Sequence, residues 1–271
     1  MILPSLRSST PSLFRSFSTS RARSIMQPLQ VYTAGTPNGW TVPICLEELK
    51  KVNPELKWEI HPINIGQNQQ KEDWFLKINP NGRIPAIVDP NNGDFAVFET
   101  SAILLYLEKK YDPDHVLSWP SSNPQADNLR SEVLQWMFFA HGGIAAMQGQ
   151  ANHFRMQGLG GKNYIPYALN RYIDETKRLY GVLDLRLKDR DYLVGEGRGK
   201  FTLADIRAGG WVFSHGFAGI PRSEVPDSVN KWVDRLLERD AFVAGLKTPS
   251  EGPIVKNAMA NRDWVAEMPK E

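Results

Sequence analysis

The chain has 271 residues, 41% of them hydrophobic and 23% charged, with a formal net charge of +2 and one cysteine. That length suits one large domain or two modest ones, each with its own core. A single thiol excludes an internal disulfide framework and a zinc cluster built on thiolates. No apolar run reaches the length of a membrane span, so membrane insertion is not expected. The charge is unevenly placed: residues 1–25 hold Arg7, Arg15, Arg21 and Arg23 and no acid, and the first carboxylate is Glu47. The remainder is slightly acidic, so a nucleic-acid partner recruited by net charge is not expected either.

Residues 1–25 are cationic, rich in serine and free of acids, which is the composition of a mitochondrial transit peptide. Leu13, Phe14 and Phe17 offer an apolar stripe, although Pro4 and Pro11 limit any helix. Arg15, Phe17 and Ser20 resemble the pattern ahead of matrix-processing sites, which places cleavage near Ser24–Ile25. Mitochondrial import is the expectation. The alternative is a disordered tail on a cytoplasmic protein, with Met26 able to start a shorter form.

From Leu29 the pattern alternates element types. Residues 29–33 read as a strand, Pro37–Gly39 as a turn, and Val42, Ile44, Cys45, Leu46 and Leu49 follow at helical spacing. Residues 58–63 predict a second strand. Residues 86–89 and 95–98 predict a third and fourth, joined by the Pro90–Gly93 turn as a hairpin. Thr100–Tyr111 returns to a helix with Ile103, Leu104 and Leu107 inward. This β-α-β unit with a hairpin and a helix spans 28–111 and implies a mixed sheet with helices packed on it. Three prolines between Asp112 and Pro124 mark a linker.

Residues 125–247 then read as all-helical. Long helices are expected over Ser131–Gln150 and Tyr164–Arg190, the latter with Tyr172, Thr176, Leu179, Leu183 and Leu187 on one stripe. Thr202 and Asp205 have the spacing of a capping box, and Asp227–Arg239 and Ala241–Lys247 complete the block. Gly195–Lys200 imitates a phosphate loop, but Phe201 stands where that motif needs Ser or Thr, so it reads as a flexible loop. Residues 248–271 are expected to be a loosely tethered tail. The five histidines show no metal-ligand spacing, and no metal is expected. The layout is α/β followed by all-α: a small thioredoxin-like domain ahead of a helical bundle.

Four stretches could carry chemistry. At Thr36–Gly39 a thioredoxin places a nucleophilic cysteine; this chain offers the Thr36 hydroxyl, the Asn38 amide and helix N–H groups instead. These can stabilise a ligand's thiolate without bonding to it covalently, or simply cap the helix. In Asn79–Asp89 an Ile84–Pro85 bond, cis if the turn requires it, would present the Ile84 backbone as a sheet edge for a peptide-like ligand. A plain turn before a buried strand is the alternative. In Phe98–Ile103, Glu99 suits an ammonium while Thr100 and Ser101 at a helix N-terminus suit a carboxylate, together an α-amino-acid end. A helix cap explains Thr100 alone as well. In Gly149–Arg155 and Asn170–Tyr172, Arg155 or Arg171 could reach an anion, and His153 could act as a base or only pack. Phe138, Phe139, Met147 and Phe154 could line an apolar pocket or fill the bundle core.

In this order, these stretches resemble the glutathione transferases over residues 28–247. Thr36–Gly39, Gly149–Gln150 with His153–Phe154, and Arg171–Tyr172 are most similar to the bacterial nu class and to fungal transferases related to the yeast nitrogen-regulator prion protein. The resemblance implies glutathione as co-substrate and a homodimer. It implies Thr36 and Asn38 beside the thiol, and Gln70, Arg83, Ile84, Pro85, Glu99 and Thr100 around the rest of the molecule. Thr100 stands where relatives carry serine. Arg171 matches a second-domain arginine that reaches the ligand, from its own or the partner subunit. Thr202 and Asp205 match the superfamily's capping motif and have a folding role. Members of this kind favour disulfide or peroxide reduction, with bound glutathione as the thiolate and a second thiol resolving the mixed disulfide. Conjugation of a small electrophile, in detoxification or a secondary-metabolite step, and a non-catalytic regulatory role are the alternatives. Cys45, mid-helix among apolar residues, is expected to be buried and inert.

Overall fold

A computed structural model describes residues 26–158 and 164–267. The expected transit peptide lies outside the described residues. β1 (Leu29–Thr33) runs parallel to β2 (Trp58–Pro62), with Leu29 opposite Trp58. A parallel pair needs a crossover, and α1 (Pro37–Lys50) supplies it. After the short α2 (Asp73–Leu76), β3 (Ala86–Asp89) and β4 (Phe95–Phe98) form the expected hairpin. β3 pairs antiparallel with β1, giving the order β2-β1-β3-β4. α3 (Thr100–Tyr111) packs on α1 and buries Ile103, Leu104 and Leu107.

α1 is built to survive between two layers. Pro37 takes the first helical turn, where a missing N–H costs little, and the Thr36 hydroxyl accepts from Gly39 N at 3.2 Å. Pro43 sits inside the helix and leaves the Gly39 carbonyl without its usual N–H donor four residues on. The buried Thr33 hydroxyl, from the end of β1, donates to that carbonyl at 2.8 Å. Cys45 is fully buried in this helix, and burial with Asp112, Glu48 and Glu108 nearby raises its thiol pKa well above the ordinary range.

The helical domain comprises α4 (Ala126–Phe138), α5 (Ala145–Gly158), α6 (Pro166–Leu187), α7 (Leu203–Phe213), α8 (Asp227–Leu237), α9 (Asp240–Leu246) and α10 (Pro253–Ala260). The single helix expected over 131–150 starts earlier and is interrupted: a π-helical turn spans Phe139–Ile144. Gly142 and Gly143 hold the α-helix there weakly, and such turns insert one residue into the helical register. α6 buries Thr176, Leu179, Leu183 and Leu187 as the stripe predicts. The Gly195–Lys200 segment is a tight turn rather than a flexible loop, closed by pairing of Val194 with Lys200. The expectation of a loose tail is also corrected. Val255 and Ala258 of α10 are buried, Ala266 N donates to Gly216 O at 3.0 Å, and the Arg155 guanidinium donates to Ala266 O.

One apolar core runs through both domains, from Leu29 and Val31 to Trp232 and Val255. α7 is its axis, and its N-terminus is tied down by Asp205. That carboxylate accepts from Thr202 N at 2.9 Å, and from Leu193 N and Trp232 Nε1, each at 3.0 Å. Burying a donor without an acceptor costs about 1–3 kcal/mol, so Asp205→Ala, which orphans three, is expected to lower stability by at least about 3 kcal/mol in urea titrations. Burial pushes the Asp205 pKa up to about 6. Folding therefore binds a proton between the ordinary aspartate range and pH 6. The stability of the native chain relative to Asp205→Asn is expected to be highest near pH 4 and to fall as pH rises to 6.

Candidate functional site

A cleft of about 1100 Å³ lies between the domains. The N-termini of α1 and α3, the turn ahead of β3, the π turn with the start of α5, and α7 form its walls. It gathers Thr36, Asn38, Gln70, Arg83, Ile84, Pro85, Glu99 and Thr100, eight of the expected site residues. Two helix N-termini opening on one cavity make it suited to anionic groups.

The Thr36 oxygen is engaged as the α1 cap, which leaves its O–H free to donate. Asn38 follows on the first turn. Trp211 of α7 donates its indole N–H to Asn38 Oδ1 at 3.0 Å. An indole can only donate, so the amide oxygen faces Trp211 and the NH2 group faces the cleft. The N-terminus of α1 thus presents two donors to the cleft, one of them oriented from α7.

The opposite wall is shaped by Asn79, which is buried. Its Nδ2 donates to Arg83 O at 2.7 Å and its Oδ1 accepts from Asn81 N at 3.0 Å, which fixes the turn before the cis Ile84–Pro85 bond. Glu99 precedes α3 with a φ of 68° and a half-exposed carboxylate. Its Oε1 lies 3.5 Å from Asn81 Nδ2 and its Oε2 3.4 Å from His141 Nε2. Thr100 and Ser101 form the buried first turn of α3.

Two residues at this wall were not expected from the sequence. His141 sits in the π turn with its Nδ1 2.8 Å from Ser101 Oγ. Arg207 of α7 donates Nε to the same Ser101 oxygen at 3.3 Å. Arg207 is 1% exposed, and burial lowers its pKa to about 10 against the pull of Glu99, so it stays charged at neutral pH. A signal for it existed: beyond the cap, Leu203–Phe213 is otherwise uncharged, and one arginine at position 207 interrupts an apolar helix.

Other candidates lie elsewhere. Arg171 lines a separate cavity on α6 with Tyr167 and Arg178, outside its own chain's cleft. Arg155 is spent on the C-terminal segment, not on an anion. Thr202 and Asp205 serve the α7 cap, away from the cleft. His153 and Met156 do line the cleft, whereas Met147 lines the Arg171 cavity, Phe138 is exposed and Phe154 stacks on Tyr172. Among the described residues no cluster of three or more His, Cys, Asp or Glu is placed to hold a metal, and no helix is long and apolar enough to cross a membrane.

Comparison with known proteins places this geometry. Residues 35–110 match the family model of the glutathione S-transferase N-terminal domain, and residues 169–240 that of the C-terminal domain. Glutathione S-transferase 1 of Schizosaccharomyces pombe is 35% identical over 229 residues, covering 79% of this chain and 93% of that protein. The disulfide-bond oxidoreductase YfcG of Escherichia coli is 36% identical over 217 residues, covering 79% and 92%. A crystal structure of a glutathione transferase homologue from Lodderomyces elongisporus, with two GSH per subunit, shares the fold with a TM-score of 0.73. It is 37% identical and covers 83% of this chain and 100% of that one. A cleft between a thioredoxin-like sheet and a helical bundle, with relatives of this identity over nearly their whole length, shows that the chain belongs to the glutathione S-transferase superfamily.

Proposed function

We propose that this chain is a glutathione-dependent oxidoreductase that reduces disulfide bonds or peroxides with the thiol of bound glutathione. The observation that carries the reading is the Asn38 amide, held by Trp211 so that its NH2 faces the cleft at the start of α1. With the Thr36 hydroxyl and the helix N–H groups, it favours a thiolate over a thiol. Cys45, the chain's one cysteine, is buried and its thiol pKa raised, which suits it poorly as a nucleophile. The name of the Escherichia coli relative supports disulfides as substrates.

Glutathione fits the cleft by its ends. The half-exposed Glu99 suits the γ-glutamyl ammonium, and the α3 N-terminus with the Thr100 hydroxyl suits the carboxylate beside it. The Ile84 backbone ahead of β3 is placed to pair with the cysteinyl segment as an added strand, and Gln70 and Arg83 complete the lining. In the reaction two glutathione thiols give up one proton each. The substrate disulfide takes both protons with the electron pair and leaves as two thiols, and glutathione leaves as its own disulfide. A hydroperoxide takes the same electrons and leaves as alcohol and water. We also take the chain to work as a homodimer, in which Arg171 serves the partner's cleft. The acid-free, arginine-rich segment 1–25 supports mitochondrial import.

The test is glutathione-dependent turnover of residues 26–271 with a small disulfide, an organic hydroperoxide and an aromatic chloride side by side. Dominant disulfide or peroxide turnover is expected; dominant conjugation, or binding without turnover, overturns the reading. A charge-assisted hydrogen bond contributes about 1.5–3 kcal/mol, so Asn38→Ala is expected to lower kcat about 10–100-fold with a much smaller loss of stability. Trp211→Phe, which frees the amide to turn and trims a core side chain, is expected to lower kcat about 3–10-fold with the KM for glutathione nearly unchanged. Equal losses of turnover and stability in both variants would reduce Asn38 to a structural residue.

A further inference from the structure

Arg207 is a buried cation without a buried anion. Among the described residues it forms no ion pair, and its Nη1 is buried with no hydrogen-bond partner. A guanidinium left like this is costly, and a stable fold normally pairs it. It reaches the cleft from the buried face of α7, beside the first turn of α3, where Ser101 Oγ accepts from its Nε and the helix leaves its first N–H groups without intrahelical partners.

The direction of the hydrogen bonds around it is set at the two ends, by a guanidinium that can only donate and by the Glu99 carboxylate, which accepts from the neutral His141 ring and so draws its proton to Nε2. Arg207 Nε can only donate, so Ser101 Oγ accepts from it. The Ser101 hydroxyl hydrogen is then free for His141 Nδ1, which accepts at 2.8 Å. A histidine that accepts at Nδ1 carries its proton on Nε2, and Nε2 faces Glu99 Oε2 at 3.4 Å. Burial and the Arg207 charge lower the His141 pKa against the opposing pull of Glu99, which agrees with a neutral ring in this tautomer. The relay therefore starts on a helix of the C-terminal domain and ends on the carboxylate that opens α3.

Resting on the glutathione reading above, we propose that Arg207 and His141 are specificity-determining residues that read the zwitterionic γ-glutamyl end. Arg207 supplies the countercharge for the α-carboxylate above the α3 N-terminus. His141, oriented through Ser101, holds Glu99 in place for the α-ammonium. Neither exchanges a proton with the reacting sulfur; both are positioning residues, and they make recognition of the amino-acid end depend on both domains.

The test is isothermal titration calorimetry of the full chain and three variants with glutathione and two analogues. One analogue, glutaryl-Cys-Gly, lacks the α-amine; the other, 4-aminobutyryl-Cys-Gly, lacks the α-carboxylate. Loss of one charge-assisted contact should weaken binding about 10-fold. Arg207→Met is expected to weaken the carboxylate-bearing pair, glutathione and glutaryl-Cys-Gly, more than the third ligand. His141→Ala is expected to weaken the amine-bearing pair and leave glutaryl-Cys-Gly unchanged. Ser101→Ala, which removes the shared partner of both side chains, is expected to weaken glutathione more than either analogue and keeps the test open if Arg207→Met does not fold. A uniform loss across the three ligands, or none, in the folded variants overturns the inference while leaving the glutathione reading intact. A native chain that binds no glutathione overturns both.

Discussion

Helix α1 is buried from both sides, against the sheet and α3 on one and against α7 and α9 on the other. Its contact with α9 leaves no room for a side chain at Gly245, where a Cβ would sit 2.4 Å from the Ile44 backbone nitrogen. Gly210 of α7 faces the Pro37 carbonyl and Trp40 at ordinary contact distance. At the far end Arg239 grips Glu48 with two hydrogen bonds of 2.7 and 2.8 Å. These contacts fix α1 against the bundle, and the cleft inherits their accuracy, because Asn38 on α1 meets Trp211 on α7. The geometry of the α1 N-terminus thus depends on a seam whose other end lies at Glu48, away from the cleft.

The chain treats its buried charges in two ways. Asp205 is surrounded by donors from the segment it caps, the preceding loop and α8, which offset part of its burial cost inside the bundle. Asp89 is similarly held by the hydroxyls of Tyr106 and Tyr111 at 2.6 and 2.7 Å. Arg207 is the exception at the cleft, satisfied on one nitrogen only. The contrast separates charges that stabilise the fold from a charge held ready for something outside it.

Much of the first domain was legible because its signals are local. The alternation of Leu29, Val31 and Thr33, the Pro90–Gly93 turn and the Thr36 cap each need only a few neighbouring residues to be read. Thr36, Asn38, Glu99 and Thr100 could be placed together because each opens a helix after a strand, and the family resemblance gave their order. The rest required distance information. The Asn38 orientation depends on a tryptophan 173 residues away, and the Arg207 contact on a serine 106 residues away. The π turn within 131–150 is not visible in the sequence because one inserted residue leaves no mark in an apolar pattern that stays helical on both sides. The docking of the tail is equally hidden, because the Ile254, Val255 and Ala258 face of α10 is short and gains its meaning only from the surface it covers.

The π turn between α4 and α5 has a consequence for how the cleft can vary. One residue advances an α-helix by about 100°, so an extra residue in one turn rotates everything after it relative to everything before. α4 keeps Leu129, Val133 and Met137 in the bundle core, while α5 turns Ala145, Ala146, His153 and Met156 toward the cleft. The two helices are thereby phased independently. Substitutions along α5 can reshape that wall of the cleft without asking α4 to repack, so the lining can change while the bundle core stays fixed.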